Sequence, residues 1–314
     1  RPPDPPPGGG LLCATGVDVS YGQLQILFDV DFEVAENEVV ALLGTNGAGK
    51  STLLRALVGL APHSGSVRVD GVELSGRSPE QIVREGVALM PGGKAIFPTM
   101  SVEDHLRLSS WTFRKDAERI SDSIEDVHAI FPVLAERGSQ LAGDLSGGEQ
   151  QQLAMAMTLM LRPKVLLIDE LSLGLSPMIV SALCDVVRLL QRNGITIVVV
   201  EQSINVALTL AERAVFMEKG TVRFEGHPRT ARTTRPVALG LHRGSERRWR
   251  RRRHTGRGRG RRCHHLDRPG TTRGGTTRRH THRRARPGAD LRERDQTLRR
   301  RAGVEPRGSG GATR

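Results

Sequence analysis

The chain has 314 residues, with 47 Lys plus Arg against 34 Asp plus Glu, a formal charge of +13, and only two Trp, one Tyr and seven Phe. That length suits one or two domains, each able to bury a core. Three cysteines at unrelated spacings (Cys13, Cys184, Cys263) exclude a disulfide framework or zinc ribbon and point to a reducing, cytoplasmic setting; apolar runs such as Val39 to Leu43 and Ile195 to Val200 fall far short of the ~20 residues of a membrane-spanning helix.

In chain order, residues 1–10 (RPPDPPPGGG) are a Pro then Gly tract and read as a linker. No charged-then-apolar leader stands at Arg1, so no signal peptide is expected there. Glu38 to Gly44 (EVVALLG) is a short aliphatic run of the kind that forms a buried parallel strand. It leads into Gly44-Thr45-Asn46-Gly47-Ala48-Gly49-Lys50-Ser51-Thr52, and then into a helical stretch over Leu53 to Leu60. This is GxxxxGK[ST] in a strand, loop, helix context. The glycines let consecutive N–H groups turn toward phosphate oxygens, Lys50 reaches the β and γ phosphates, and the Ser51 hydroxyl is a ligand for Mg²⁺.

Ser66 to Leu74 alternates around Asp70-Gly71 and predicts a hairpin in a small antiparallel sheet. Residues 101–142 carry apolar positions at spacings of three and four and predict helices, with Trp111 expected in ordinary core packing. His63, His105 and His128 have no ligand spacing and read as surface or satisfied core residues. Leu145-Ser146-Gly147-Gly148-Glu149-Gln150 opens a helical pattern. An N-cap Ser with a helpful Glu explains it locally, and a second set of N–H groups and a hydroxyl for phosphate explains it functionally. Val165 to Ile168 followed by Asp169 and Glu170 predicts a buried strand with two carboxylates at its C-terminal end, beside the phosphate loop. There Asp169 is placed to hold Mg²⁺, and Glu170 to polarise a water attacking the γ-phosphate.

After residue 227 the composition changes. Residues 1–227 hold 19 basic and 28 acidic side chains, whereas residues 228–314 hold 28 basic and 6 acidic, every basic one an Arg. The tail has no Ile, Asn, Phe, Met or Tyr, so it has little to bury and is expected to be disordered. One reading is phosphate binding, as nucleic acid or anionic lipid. Only Trp249 is aromatic and no repeat organises the arginines, which argues against nucleic acid as a partner. The favoured reading is a frameshifted end, since GC-rich DNA translated out of frame gives this composition.

With these motifs in this order, the sequence resembles the ATP-binding subunits of ATP-binding-cassette (ABC) transporters over about Leu11 to His227. The phrases at Ile96 to Glu103, Ser172 to Pro177 and Val200 to Ser203 look most like the shorter ATPase subunit of branched-chain amino-acid importers. The resemblance implies an α/β P-loop NTPase with a RecA-like core, an antiparallel β subdomain and a helical subdomain over about 101–160. It implies ATP and Mg²⁺ as cofactors, with Gly44 to Thr52 and Tyr21 on the nucleotide, Ser51 and Asp169 on the metal, and Glu170 and Gln202 catalytic. It implies that Leu145, Ser146, Gly147, Gly148, Glu149 and Gln150 close over the ATP of a partner subunit, identical or sister. Integral membrane permease subunits are the further partners, with an external solute-binding protein indirectly, at the cytoplasmic face of a bacterial plasma membrane. A nucleic-acid-associated ATPase using the tail and a non-transport ABC ATPase are the alternatives. Four positions depart from the pattern: Gly92 where many members have Gln, Gln202 where His is common, Ser176 for Asp, and Leu171 for Pro.

Overall fold

A computed structural model of the chain describes residues 10–93 and 95–226. Its elements in order are β1 (Leu12–Tyr21), β2 (Leu24–Val34), β3 (Val39–Gly44), α1 (Lys50–Leu57), β4 (His63–Val69), β5 (Val72–Glu73), α2 (Pro79–Arg84), β6 (Val87–Met90) and α3 (Val102–Ser109). There follow α4 (Ala117–Ile130), α5 (Pro132–Glu136), α6 (Gly147–Leu159), β7 (Val165–Asp169), α7 (Pro177–Arg192), β8 (Thr196–Val200), α8 (Ile204–Leu210), β9 (Arg213–Glu218) and β10 (Thr221–Gly226). Of the linker expected over residues 1–10 all but Gly10 lies outside the described residues, as does the tail expected over residues 228–314.

Two sheets organise these elements. A six-stranded sheet runs β10-β9-β3-β8-β7-β6, parallel except where β10 turns back antiparallel on β9. The other is antiparallel, in the order β2-β1-β4-β5. The aliphatic runs become central strands because both faces of the larger sheet are covered, and successive side chains point to opposite faces. In β3, Val39, Ala41 and Leu43 enter one hydrophobic cluster, together with residues of α3 to α8. Val40 and Leu42 enter the other, which holds α1 and the antiparallel sheet. Strand β7 divides in the same way, Leu166 and Ile168 to the first cluster, Val165 and Leu167 to the second.

The expected hairpin forms as β4 and β5, with Asp70 and Gly71 both at positive φ in its turn. Two expectations need correction. Helix α1 begins at Lys50, three residues before the predicted Leu53, because the phosphate loop's last glycine, Gly49, is its N-cap at φ +98°. Trp111 is 61% exposed and not in the core; it sits in a 3-10 turn after α3, with the Arg114 guanidinium 4.3 Å from its ring centre. That cation covers a ring face and keeps Trp111 tolerable in water. His105 is buried and satisfied, bonded from Phe97 N–H at 2.8 Å and to Ser101 O at 2.7 Å.

Candidate functional site

The loop from Gly44 to Gly49 joins the end of β3 to the start of α1, at the C-terminal edge of the parallel strands where ligands bind such sheets. Gly44, Gly47 and Gly49 all have positive φ. A Cβ at Gly44 would fall 2.3 Å from the backbone oxygen of Met217, so close packing as well as torsion requires that glycine; at Gly49 the nearest atom is the end of the Leu27 side chain, at 2.6 Å, and the φ of +98° is the stronger constraint. No side chain caps α1, which leaves its first-turn N–H groups facing the loop.

Lys50 is 7% exposed and donates from Nζ to Gly44 O at 2.9 Å and Thr45 O at 3.0 Å, so its ammonium lies inside the loop. Burial lowers its pKa, against the opposing pull of Glu170 and Asp169. Ser51 Oγ donates to Asp169 Oδ1 at 2.9 Å, joining the start of α1 to the end of β7. Burial raises the pKa of Asp169, an effect that the Ser51 bond opposes. A hydroxyl and a carboxylate oxygen side by side beside a lysine are hard-oxygen donors that would suit a magnesium ion. Among the described residues no group of three or more His, Cys, Asp or Glu is placed to hold a metal ion.

Glu170 follows β7 at φ +63°, a left-handed conformation that a glutamate adopts only where its surroundings hold it. Its Oε1 accepts a hydrogen bond from Gln202 Nε2. The backbone around it is fixed from two sides. Gln151 Nε2, on α6, donates to Glu170 O at 3.2 Å and Leu171 O at 3.3 Å. Glu201, at the end of β8 and 2% exposed, accepts from Ser172 N–H at 3.0 Å and from Ser172 Oγ at 2.8 Å. Burial raises the pKa of Glu201, which its bonds from Ser172, Ser203 and Leu171 oppose.

The turn at Ser146 is a capping box: Ser146 Oγ accepts from Glu149 N, and Glu149 Oε2 accepts from Ser146 N–H at 2.8 Å. Burial works to raise Glu149's pKa, but the Ser146 bonds and Arg137 hold it below the usual value. Gln150 Nε2 donates to Ala142 O and Leu145 O. Among the described residues, no hydrogen bond joins residues 145–150 to residues 44–52 of the same chain. Thus Lys50, Ser51, Asp169, Glu170 and Gln202 form one connected group, with Gly44 to Gly49 around them. Leu145 to Gln150 stand apart from it. Tyr21 is half exposed at the tip of the β1–β2 hairpin.

Three supporting residues escape a reading by motif. Gln151 and Glu201 act on the Glu170 turn. Gly220, at φ +76°, donates from its N–H to Ala48 O at 3.0 Å and so backs the phosphate loop from the β9–β10 turn. Of these only Glu201, a carboxylate directly after an unbroken run of buried aliphatic residues, carries a signal in the sequence.

The sequence model of the ABC transporter family matches residues 27–172. The chain is 44% identical over 214 residues to the high-affinity branched-chain amino acid transport ATP-binding protein BraG of Pseudomonas aeruginosa, covering 68% of this chain and 91% of that one. It is 36% identical over 218 residues to the probable branched-chain amino acid transport ATP-binding protein LivF of Archaeoglobus fulgidus, covering 69% and 92%. A nucleotide-free ATP-binding cassette from an ABC transporter has the same fold, with a TM-score of 0.67 at 20% identity over 74% of this chain and 99% of that one.

Proposed function

The chain belongs to the ABC transporter ATP-binding family, and from that premise we propose that it hydrolyses ATP to energise uptake of branched-chain or related amino acids through a separate permease. The observation that carries the reading is the convergence of Lys50, Ser51, Asp169 and Glu170 at one end of the parallel sheet, in a chain similar over most of its foldable length to BraG.

Each residue then has a task. The N–H groups of Gly44 to Gly49 and of the first turn of α1 bind the phosphates, with Thr52 in the same turn, and Lys50 exchanges its two carbonyl partners for phosphate oxygens. Tyr21 stacks on the adenine. Ser51 and Asp169 would hold Mg²⁺, which would neutralise charge on the phosphate oxygens. Glu170 takes a proton from the attacking water as its oxygen bonds to the γ-phosphorus and the bond to the β–γ bridging oxygen breaks, releasing ADP and phosphate. Gln202 orients Glu170 and donates toward the γ-phosphate; unlike imidazolium, its amide moves no proton.

Leu145 to Gln150 serve a nucleotide on a second ATPase subunit, which accounts for their separation from this chain's own phosphate loop. Phe97, 54% exposed beside α3, and the exposed Trp111 and Leu141 form the contact with the permease, at the cytoplasmic face of a bacterial membrane. Among the described residues no helix is long and apolar enough to cross a membrane; in this reading the solute passes through the permease, supplied by an external binding protein. The test is Glu170→Gln. It is expected to lower ATP turnover about a hundredfold or more while leaving ATP binding within about twofold of the parent. Unchanged turnover would refute the assignment of Glu170 as the base.

A further inference from the structure

Among the described residues, no hydrogen bond or ion pair joins the buried carboxylate of Glu201 to the phosphate loop or to Lys50. Both its oxygens are met by Ser172, through the backbone N–H at 3.0 Å and the hydroxyl at 2.8 Å, and the backbones of Leu171 and Ser203 bond it as well. Ser172 lies two residues beyond Glu170, whose left-handed backbone needs outside support. Glu201 also precedes Gln202, whose amide bonds the Glu170 carboxylate. Its own N–H is anchored to Leu42 O at 3.3 Å, in the strand that enters the phosphate loop. On the opposite side, Gln151 holds the carbonyls of Glu170 and Leu171.

A carboxylate that is 2% exposed carries a desolvation cost that an apolar residue would avoid, and its two bonds from Ser172, with those from Leu171 and Ser203, offset that cost. From this two-point grip we infer that Glu201 is a positioning residue for catalysis, fixing the Glu170 to Ser172 turn to the end of β8 so that Glu170 and Gln202 are presented together to the attacking water. The inference rests on the reading of Glu170 as the base. A misplacement of about 1 Å in a reacting group lowers rates by up to about a hundredfold without weakening substrate binding, so the grip acts on kcat and not on KM.

The experiment compares steady-state ATP hydrolysis and binding of a fluorescent ATP analogue for the full chain, Glu201→Ala, Glu201→Gln and Glu170→Gln. Glu201→Ala is expected to lower kcat about tenfold or more, with KM and analogue affinity within about twofold of the parent. Glu201→Gln is expected to stay within about threefold, since its carbonyl accepts from Ser172 N–H and its amide donates to Ser172 Oγ, keeping both points of the grip. The proposal is overturned if Glu201→Ala turns over ATP at the parent rate, if its KM rises in step with the loss, or if Glu201→Gln falls as far as Glu201→Ala. Should Glu201→Ala not fold, Ser172→Ala removes the hydroxyl point of the grip while keeping the backbone N–H point and the Glu201 side chain in its place. It is expected to lower kcat about threefold at constant KM, and a parent kcat overturns the proposal. An inactive Glu170→Gln beside a fully active Glu201→Ala rejects the positioning role alone. An active Glu170→Gln rejects the catalytic reading on which it stands.

Discussion

Gly47 and Gly220 both have positive φ, yet they do different work. Nothing lies within 4 Å of a Cβ built on Gly47, whereas one on Gly220 would fall 2.0 Å from Ile26 O and 2.8 Å from Phe28 Cδ2. Gly47→Ala should therefore cost about the left-handed strain alone, ~1–2 kcal/mol by urea unfolding. Gly220→Ala adds a backbone displacement to that strain and should cost ~3 kcal/mol or more. It should also weaken ATP binding, because the Gly220 N–H to Ala48 O bond supports the phosphate loop. Equal costs for the two variants would mean that the turn yields without disturbing the loop. The same contrast measures how much of the site is legible in the sequence. Gly44, Gly49, Lys50 and Ser51 are set by spacing within one short loop, and Asp169 and Glu170 by the end of an apolar run. Gly220 and Gln151 join the site only through pairings between distant segments, which no local pattern encodes, and Glu201 shows in the sequence only as a carboxylate after an apolar run.

Helix α6 carries two explanations in one turn. Its capping box satisfies first-turn N–H groups locally, while the same Ser146 hydroxyl is the group proposed to meet a nucleotide on a second subunit. Substitution at both ends of the box separates them. Ser146→Ala and Glu149→Ala should each lower stability by about 1 kcal/mol in denaturant unfolding, because each breaks the reciprocal cap. Ser146→Ala should also lower ATP turnover, about tenfold or more and further than Glu149→Ala, as expected for loss of one donor at a transferring phosphate. Parallel losses of turnover in the two variants would leave the turn a cap and nothing more. Element types follow from period and length, since β3, β7 and β8 are short aliphatic runs buried on both faces. Sidedness within the helical segment does not follow in the same way. Trp111 fits an apolar spacing, but it lies in a 3-10 turn where three residues per turn take it off the α3 face and out to water.

The charge of the whole molecule conceals two opposed parts. Residues 1–227 carry nine more acidic than basic side chains, and residues 228–314 carry 22 more basic than acidic ones. Both hydrophobic clusters and every residue assigned to ATP chemistry lie in the first part, within residues 11–222. The arginines contribute to binding polyanions through counterion release, a term indifferent to sequence and steeply dependent on salt. A chain ending at residue 227 should therefore hydrolyse ATP within about twofold of the full chain, yet lose retention on heparin at low salt. The full chain should be retained at low salt and released as salt rises past the point where the Debye length falls below about 10 Å. Loss of hydrolysis on truncation would assign residues 228–314 a part in the ATPase that their composition does not predict. Retention of the shortened chain on heparin would place the anion site on a domain whose net charge is negative, in a local basic surface of the fold and not in the arginine run.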